Sequence, residues 1–354
     1  MSRAFLYILK RYFITFFIVS IGMVSIVSLI DFLQHIGSIK GANRAMLYFY
    51  YTFNNTFTLL YPIALVFAAI IVLSSLLFKN HLLSLASFGY PKVFIIKPLL
   101  LASLIIYFIV VGLNFTKFAY AGDKAEAILN SENSSYSSLD NIFFKYNNSF
   151  VAAKELDIVN KELKGINLYH VDNEKIDYIL EIKSAKFSDG SWVANGITKK
   201  IFKYRDGVPI GYDVEKLESA KILRGYYPKV IKLLYEGKRM SITDGIKAQK
   251  LLKRQNIDNS KIESALYQKL LMPLFAPILI VLLSILTPIH KRYFGKAKFF
   301  FYSLGATLVI WTLLYSVNMM SLNGVVPVYL GQPLIILALI VLTLVVWIRK
   351  RSTI

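Results

Sequence analysis

The distribution of acidic residues constrains this chain more than any other feature of its sequence. Of its 21 aspartates and glutamates, all but Asp31 lie between Asp123 and Glu263. The segments on both sides of this charged block are almost continuously apolar. A carboxylate in the middle of a membrane-embedded helix costs roughly 2.5–3.5 kcal/mol on insertion scales. The acidic block therefore predicts one water-exposed insert between two membrane-embedded regions.

The composition agrees with a membrane protein and excludes several kinds of chemistry. Hydrophobic residues make up 56% of the 354 residues, compared with about 45–50% in soluble domains. The net charge is +20, and most of the basic surplus flanks apolar segments. There it indicates topology and contact with anionic lipid, so nucleic acid is not an expected partner. Because the chain has no cysteine, disulfides and cysteine metal sites are excluded.

Six segments are long and apolar enough to cross a bilayer as helices, which requires about 20 residues. They are approximately Tyr12–Leu33, Phe57–Phe78, Val93–Phe115, Ala265–Pro288, Phe299–Met320 and Gly331–Ile348. We therefore predict an α-helical membrane protein with six transmembrane helices and an inserted all-β, jelly-roll-like domain. The expected divisions are 1–116 with helices 1–3, 117–264 with the insert and a helical connector, and 265–354 with helices 4–6.

The basic residues of the short loops predict the orientation. One side carries Arg3, Lys10, Arg11, Lys79, Lys92, Lys97, Lys291, Arg292, Lys296, Lys298, Arg349, Lys350 and Arg351. The short loops of the other side carry Lys40 and Arg44, with Lys269 just inside the fourth span. The positive-inside rule then places both termini in the cytoplasm and the insert outside.

The insert changes its pattern along its length. Ile176, Tyr178, Leu180 and Ile182 recur with period two, and Ser188-Asp189-Gly190-Ser191 has the composition of a hairpin turn. Several short strands of this kind predict a β-sandwich or jelly roll. Further along, Ser241-Ile242-Thr243-Asp244 resembles a capping box and predicts an amphipathic helix. A plain connector to the membrane is an equally good interpretation of that helix.

Motifs for catalysis and for ion-driven transport are absent from the sequence. It contains no P-loop, no His-Glu-x-x-His and no Gly-x-Ser-x-Gly, and its four histidines are scattered. We therefore expect no catalytic residue, no cofactor and no metal site. Asp31 is the only carboxylate within the predicted spans, whereas ion-driven carriers usually need such groups near the midplane. An ion-driven carrier is accordingly the weakest transport hypothesis.

Three residues in the predicted spans have two interpretations each. Asp31 is either a hydrated residue at the end of a helix or a polar contact that lines a cavity or a helix interface. Trp311 and Tyr315 in the fifth span are more often packing residues or interface anchors than ligand contacts.

The loop at 79–90, between the second and third spans, predicts a short amphipathic helix. Leu82, Leu85 and Ala86 share one face, while Gly89 fits a helix C-cap and Pro91 a stop. Such a helix lies in the membrane interface or docks into the groove of a partner.

The six spans, the β-rich insert and this loop, in that order, resemble the LptF/LptG permeases of the bacterial lipopolysaccharide exporter over essentially the whole chain. The segments that carry the resemblance are His81–Gly89 (the coupling helix of the family), Asn141–Val151, Tyr267–Leu274 and Asn323–Pro327. The start of the chain and the Asn323–Pro327 stretch are more similar to LptG than to LptF.

The resemblance implies a function and a set of partners. A paralogous, LptF-like six-span permease would pair with this chain in the bacterial inner membrane. An LptB-like cytoplasmic ATPase dimer would dock on the coupling helices and supply the enzyme activity that this chain lacks. The permease pair would extract lipopolysaccharide from the outer leaflet, and the β domain would pass it to a periplasmic bridge of LptC/LptA-like jelly rolls. The alternative is a membrane-anchored scaffold subunit that does not itself conduct lipid.

The resemblance also implies which residues act. The coupling contact would use Lys79, His81, Leu82, Leu85, Ala86, Phe88 and Gly89. The substrate contacts would be Asp31, Lys40, Arg44, Lys269, Trp311 and Tyr315. Basic residues suit lipid phosphates, although interfacial snorkelling explains each of them equally well.

Two positions depart from the family pattern. His81 stands where the family usually has a glutamate, so either a neutral hydrogen bond or packing by Leu82, Leu85 and Phe88 would replace that contact. The stretch from Asp31 to Ser38 lacks the lysine that is frequent in the family, so headgroup contacts would move to Lys40 and Arg44.

Overall fold

The computed structural model describes residues 3–129, 138–158, 160–172, 175–205, 208–228, 230–232, 240–254, 259–289 and 295–350. The chain divides into two compact units. The membrane unit comprises Met1–Ala125 and Glu263–Ile354, and the β unit comprises Glu126–Ile262.

The helical segments of the described chain have these bounds: α1 Arg3–His35, α2 Ala42–Phe78, α3 His81–Ser87, α4 Val93–Asn114, α5 Ala121–Leu129, α6 Ile242–Arg254, α7 Ser260–Leu270, α8 Phe275–Leu286, α9 Lys296–Leu322 and α10 Gln332–Arg349. All six predicted spans are confirmed as helices long and apolar enough to cross a membrane. The fourth span is α7 and α8 joined by the 3-10 turn Met272–Leu274, because Pro273 has no N–H to continue the α-helical ladder.

Helix α2 forms the centre of the membrane unit. Its middle part is almost completely buried, and it packs against α1, α8 and α9. The small side chains Ala64, Ala68 and Ala69 allow neighbouring backbones to come close. Tyr12 of α1 is fully buried and donates a hydrogen bond to the carbonyl oxygen of Leu65 at 3.0 Å. In contrast, α1 and α9 expose long rows of apolar side chains, as expected of surfaces that face lipid or another membrane subunit.

The β unit is built on one antiparallel sheet. The strands are β1 Ser138–Tyr146, β2 Ser149–Asp157, β3 Glu162–Asp172, β4 Lys175–Ser188, β5 Ser191–Arg205 and β6 Val208–Ile222. Their spatial order is the chain order, β1 to β6, so each described strand pairs with its neighbours in sequence. The predicted helical membrane protein with an inserted β domain is thus confirmed, and the strand order that the sequence left open is that of a meander.

The turn between β4 and β5 lies where the sequence predicts it. Ser188 pairs with Ser191 across the hairpin, and the two residues between them have positive φ, 48° at Asp189 and 78° at Gly190. Two consecutive left-handed residues are the geometry of a type I′ turn, which Asp-Gly favours.

On β3 and β5 the face of the strand that points inward changes at a glycine. The buried positions on β3 are Leu163 and then Ile166, and on β5 they are Ala194 and then Ile197, so the two-residue alternation skips one position in each strand. Gly165 and Gly196 lie at these points with φ of 60° and 66°. A side chain at Gly165 would also place its Cβ 2.9 Å from Cδ of Lys154.

The core of the β unit centres on Trp192, which is fully buried and donates from Nε1 to the carbonyl oxygen of Tyr226 at 2.6 Å. Helix α6 begins with the predicted capping contacts: the amide of Asp244 donates to Oγ of Ser241 at 3.1 Å, and that hydroxyl donates to Oδ2 of Asp244 at 2.9 Å. Leu251 of α6 packs against the sheet core. The helix is therefore part of the β unit and not a plain connector.

Candidate functional site

The short helix predicted at 79–90 is present as α3. Its end forms a Schellman motif, in which the amide of Gly89 donates to the carbonyl of Ala86 at 2.9 Å and the amide of Tyr90 to that of Leu85 at 3.0 Å. Gly89 has a φ of 78°, a left-handed conformation that glycine adopts without steric cost. The loop sequence therefore fixes a short rigid helix with a defined end.

The two sides of α3 have different environments. Leu82 is buried in the core of the membrane unit, and Leu85 packs partly buried against that core. On the other side Leu83 is 36% exposed and Phe88, directly after the helix, is 80% exposed. The face that the spacing identified as apolar thus holds the helix to its own protein. Leu83 and Phe88 are the large apolar side chains between 81 and 88 that remain exposed for a partner.

His81 lies beside a polar cluster from α1 and α2. Its ring centroid is 6.3 Å from that of Tyr7. Arg11 donates to the Tyr7 hydroxyl at 2.9 Å and also donates to Oγ of Ser75. The position where the family usually has a carboxylate therefore sits next to an aromatic ring and a cation. Lys79 and Ala86 are exposed.

At the opposite end of α1, Asp31 takes part in a contact that joins the first two spans. The hydroxyl of Tyr48 donates to Oδ2 of Asp31 at 2.6 Å and lies 3.2 Å from Nδ1 of His35. That same nitrogen is 2.8 Å from the carbonyl oxygen of Asp31. The Asp31 carboxylate is thus a helix–helix contact at the edge of the membrane unit, with Tyr48 as a partner that the sequence analysis missed. Lys40, between α1 and α2, and Arg44, in the first turn of α2, are exposed.

Lys269 points into the membrane unit. Its ammonium group donates to Oδ1 of Asn114 at 3.0 Å, and Asn114 is almost completely buried at the end of α4. Asp123 lies within electrostatic reach of the same ammonium group. This contact spans 155 residues of sequence, so no local pattern would have found it.

Trp311 and Tyr315 are one turn apart on α9 and stack with ring centroids 5.6 Å apart. Both are partly buried and pack against the core of the membrane unit. Among the described residues, the indole Nε1 of Trp311 has no hydrogen-bond partner. The six residues expected to contact substrate therefore lie in separate environments: Asp31 with Tyr48, Lys40 and Arg44 at the surface, Lys269 with Asn114, and the stacked pair on α9.

Comparison with protein families matches residues 6–350 to the family described as lipopolysaccharide export system permease LptF/LptG. A comparison with individual curated proteins gives no match. The matched range includes all but the first three residues of the first span, the other five spans, α3 and all six strands of the sheet. Since this range is nearly the whole chain, the protein belongs to the LptF/LptG family of lipopolysaccharide export permeases.

Proposed function

We propose that this chain is one of two permeases of a lipopolysaccharide exporter in the bacterial inner membrane. It pairs with an LptF-like paralogue, takes lipopolysaccharide from the outer leaflet and passes it through its β unit to a periplasmic bridge of jelly rolls. Family membership supports this proposal. Because the sequence has no P-loop, a separate ATPase dimer on the cytoplasmic side supplies the energy.

The observation that carries the proposal is the geometry of α3. A seven-residue helix is too short to be stable alone in water, yet Leu82 and Leu85 anchor this one to the membrane unit. The anchored helix presents Phe88 and Leu83 outward. An aromatic side chain that enters a partner's groove is a typical binding hot spot, and burying a phenylalanine contributes roughly 1.5–3 kcal/mol. An ATPase that binds this surface can transmit its motion to α2 and α4, the helices that precede and follow α3 in the sequence.

His81 changes the chemistry of this contact relative to the usual glutamate. Its ring lies near that of Tyr7, whose hydroxyl accepts a hydrogen bond from Arg11, so the carboxylate contact usual in the family is not available to the partner here. We therefore assign most of the docking energy to the packing of Phe88 and Leu83.

We assign the contact with the periplasmic bridge to one edge of the sheet. Strand β6 is 15 residues long and, in the described part of the chain, pairs on one side with β5. Its Val208, Tyr212 and Val214 side chains are more than half exposed. An unprotected edge of this length is a template for strand addition, which is how one jelly roll continues into the next.

Co-purification of the three-subunit complex tests the proposal. Phe88→Ala should lower the affinity for the ATPase by about tenfold, as expected when roughly 1.5 kcal/mol of apolar burial is lost. Phe143→Ala, which removes a 61% exposed ring from the β unit, is the matched control and should leave the affinity unchanged. Wild-type affinity in the Phe88→Ala variant contradicts the assignment of α3 as the ATPase contact.

A further inference from the structure

A pocket of about 220 Å³ lies between α3 and the adjoining ends of α2, α4 and α8. Its lining is mostly apolar and includes Leu82, Ala86, Tyr90, Ile95 and Thr287, with Lys92 as its one cationic group. The hydroxyl of Thr287 donates to the carbonyl oxygen of Leu283 within its own chain segment at 2.7 Å. Lys92 therefore provides the charge that a ligand in this pocket would meet.

Lys92 is held at the pocket by a single described contact and is close to a second cation. Its ammonium group donates to the carbonyl oxygen of Ile285 at 3.2 Å. Burial lowers the pKa of Lys92, and the charge of Lys350 lowers it further. Both effects mean that the charged form is electrostatically disfavoured here, and an anion beside it would relieve that cost.

The chain supplies no side-chain carboxylate for this purpose. Within the two segments of the membrane unit the only acidic residues are Asp31, Asp123 and Glu263. All three lie toward the far ends of their spans: Asp123 follows the end of α4 opposite Lys92, a distance of about 33 Å along a 22-residue helix. No acidic side chain of the membrane unit supplies a compensating anion at Lys92, so this position suits an anion from another molecule.

Lipid is the source of anions that this location favours. The pocket lies between helices that span the membrane, at the end of the unit that carries most of its lysines and arginines. Basic pockets between transmembrane helices on this side bind anionic phospholipid headgroups, and Tyr90 at the rim is 38% exposed, as amphipathic aromatics at headgroup level are. At 220 Å³ the pocket is smaller than the roughly 300–1,000 Å³ that encloses a complete drug-sized ligand. It fits the phosphate–glycerol end of a lipid and not the whole molecule.

We propose that this pocket is a binding site for an anionic phospholipid of the inner leaflet, with the phosphate on Lys92 and the glycerol end against the apolar lining. Because Leu82 and Ala86 belong to α3 and Ile95 to α4, one lipid contacts both elements. The bound lipid thereby stabilises the position of α3, the helix to which we assign ATPase docking. The lipid site itself does not depend on that assignment or on the transported substrate.

Native mass spectrometry of the full chain in detergent tests the site. The probes are phosphatidylglycerol and cardiolipin, with phosphatidylethanolamine as the neutral comparison. Lys92→Gln should lower retention of the anionic lipids by about fivefold, which is the effect of one basic side chain near an anionic surface. Lys97→Gln removes an exposed lysine from the same helix and should retain them like the wild type. Ala86→Leu, which fills the pocket without removing charge, should also lower retention.

Three results would overturn the proposal. One is equal retention of anionic lipid by the wild type and Lys92→Gln. Another is displacement of the bound lipid signal by millimolar inorganic phosphate, which would identify a site for the free anion. The third is a loss of ATPase co-purification in Lys92→Gln with lipid retention unchanged, which would assign the pocket to a side chain of the partner.

Discussion

At the scale of single residues, Gly196 has the most demanding backbone of β5. Its φ of 66° lies in the left-handed region, where a residue with a side chain costs roughly 1–2 kcal/mol. We expect Gly196→Ala to lower the free energy of unfolding of the β unit by about that amount. The measurement is chemical unfolding of the full chain in detergent, followed by the fluorescence of Trp192 in a background where Trp311 and Trp347 are phenylalanine.

Gly211→Ala is the matched control for this change. Gly211 lies on β6 without positive φ, and an added Cβ there meets no heavy atom within 4 Å. Its replacement should be neutral or slightly stabilising, because alanine restricts the unfolded chain. Equal destabilisation by both substitutions would show that the left-handed conformation at Gly196 is not the cause of the effect.

At the scale of elements, the sequence pattern of α3 predicts that the helix forms and where it ends, but not which of its apolar residues are exposed. The i, i+3, i+4 spacing and Gly89 predict the helix and its end correctly. They do not reveal whether Leu82 or Phe88 faces outward, since both are apolar and only tertiary packing chooses between them. The same limit applies to the sheet, where alternation predicts strands but any antiparallel order satisfies it. The spans were predictable because about 20 consecutive apolar residues are required by the bilayer itself.

The two faces of α3 predict different mutant behaviour. Leu82→Ala should leave a cavity in the membrane-unit core, with a cost of about 2–5 kcal/mol for a buried leucine, and so release the helix. Hydrogen exchange of the 82–90 amides should then become faster, and ATPase binding should fall with it. Leu83→Ala, at an exposed neighbour, should leave the exchange rates unchanged. Unchanged exchange in Leu82→Ala would mean that α3 does not depend on this anchor.

At the scale of the whole molecule, the proposed function divides transport into two steps, one for the membrane unit and one for the β unit. The membrane unit offers exposed apolar rows on α1 and α9, such as Ile30 and Leu313. The β unit offers a half-buried apolar strip on β4 and β5 that includes Leu180 and Ile201. Under the proposed function the permease uses both in sequence, and we expect ATP to be needed only for the second step. A scaffold subunit that does not conduct lipid uses neither.

Photocrosslinking separates these two functions. A crosslinker at Ile30 should capture lipopolysaccharide with or without ATP, since entry from the leaflet needs no hydrolysis, whereas one at Ile201 should capture it only with ATP, the ATPase and the second permease present. Adding Phe88→Ala should weaken the Ile201 signal and leave the Ile30 signal intact, because that substitution lowers the affinity for the ATPase without altering the entry surface. No glycolipid at either position would favour the scaffold. An Ile201 signal without ATP would show that the β unit takes up lipid by diffusion, independently of the membrane unit.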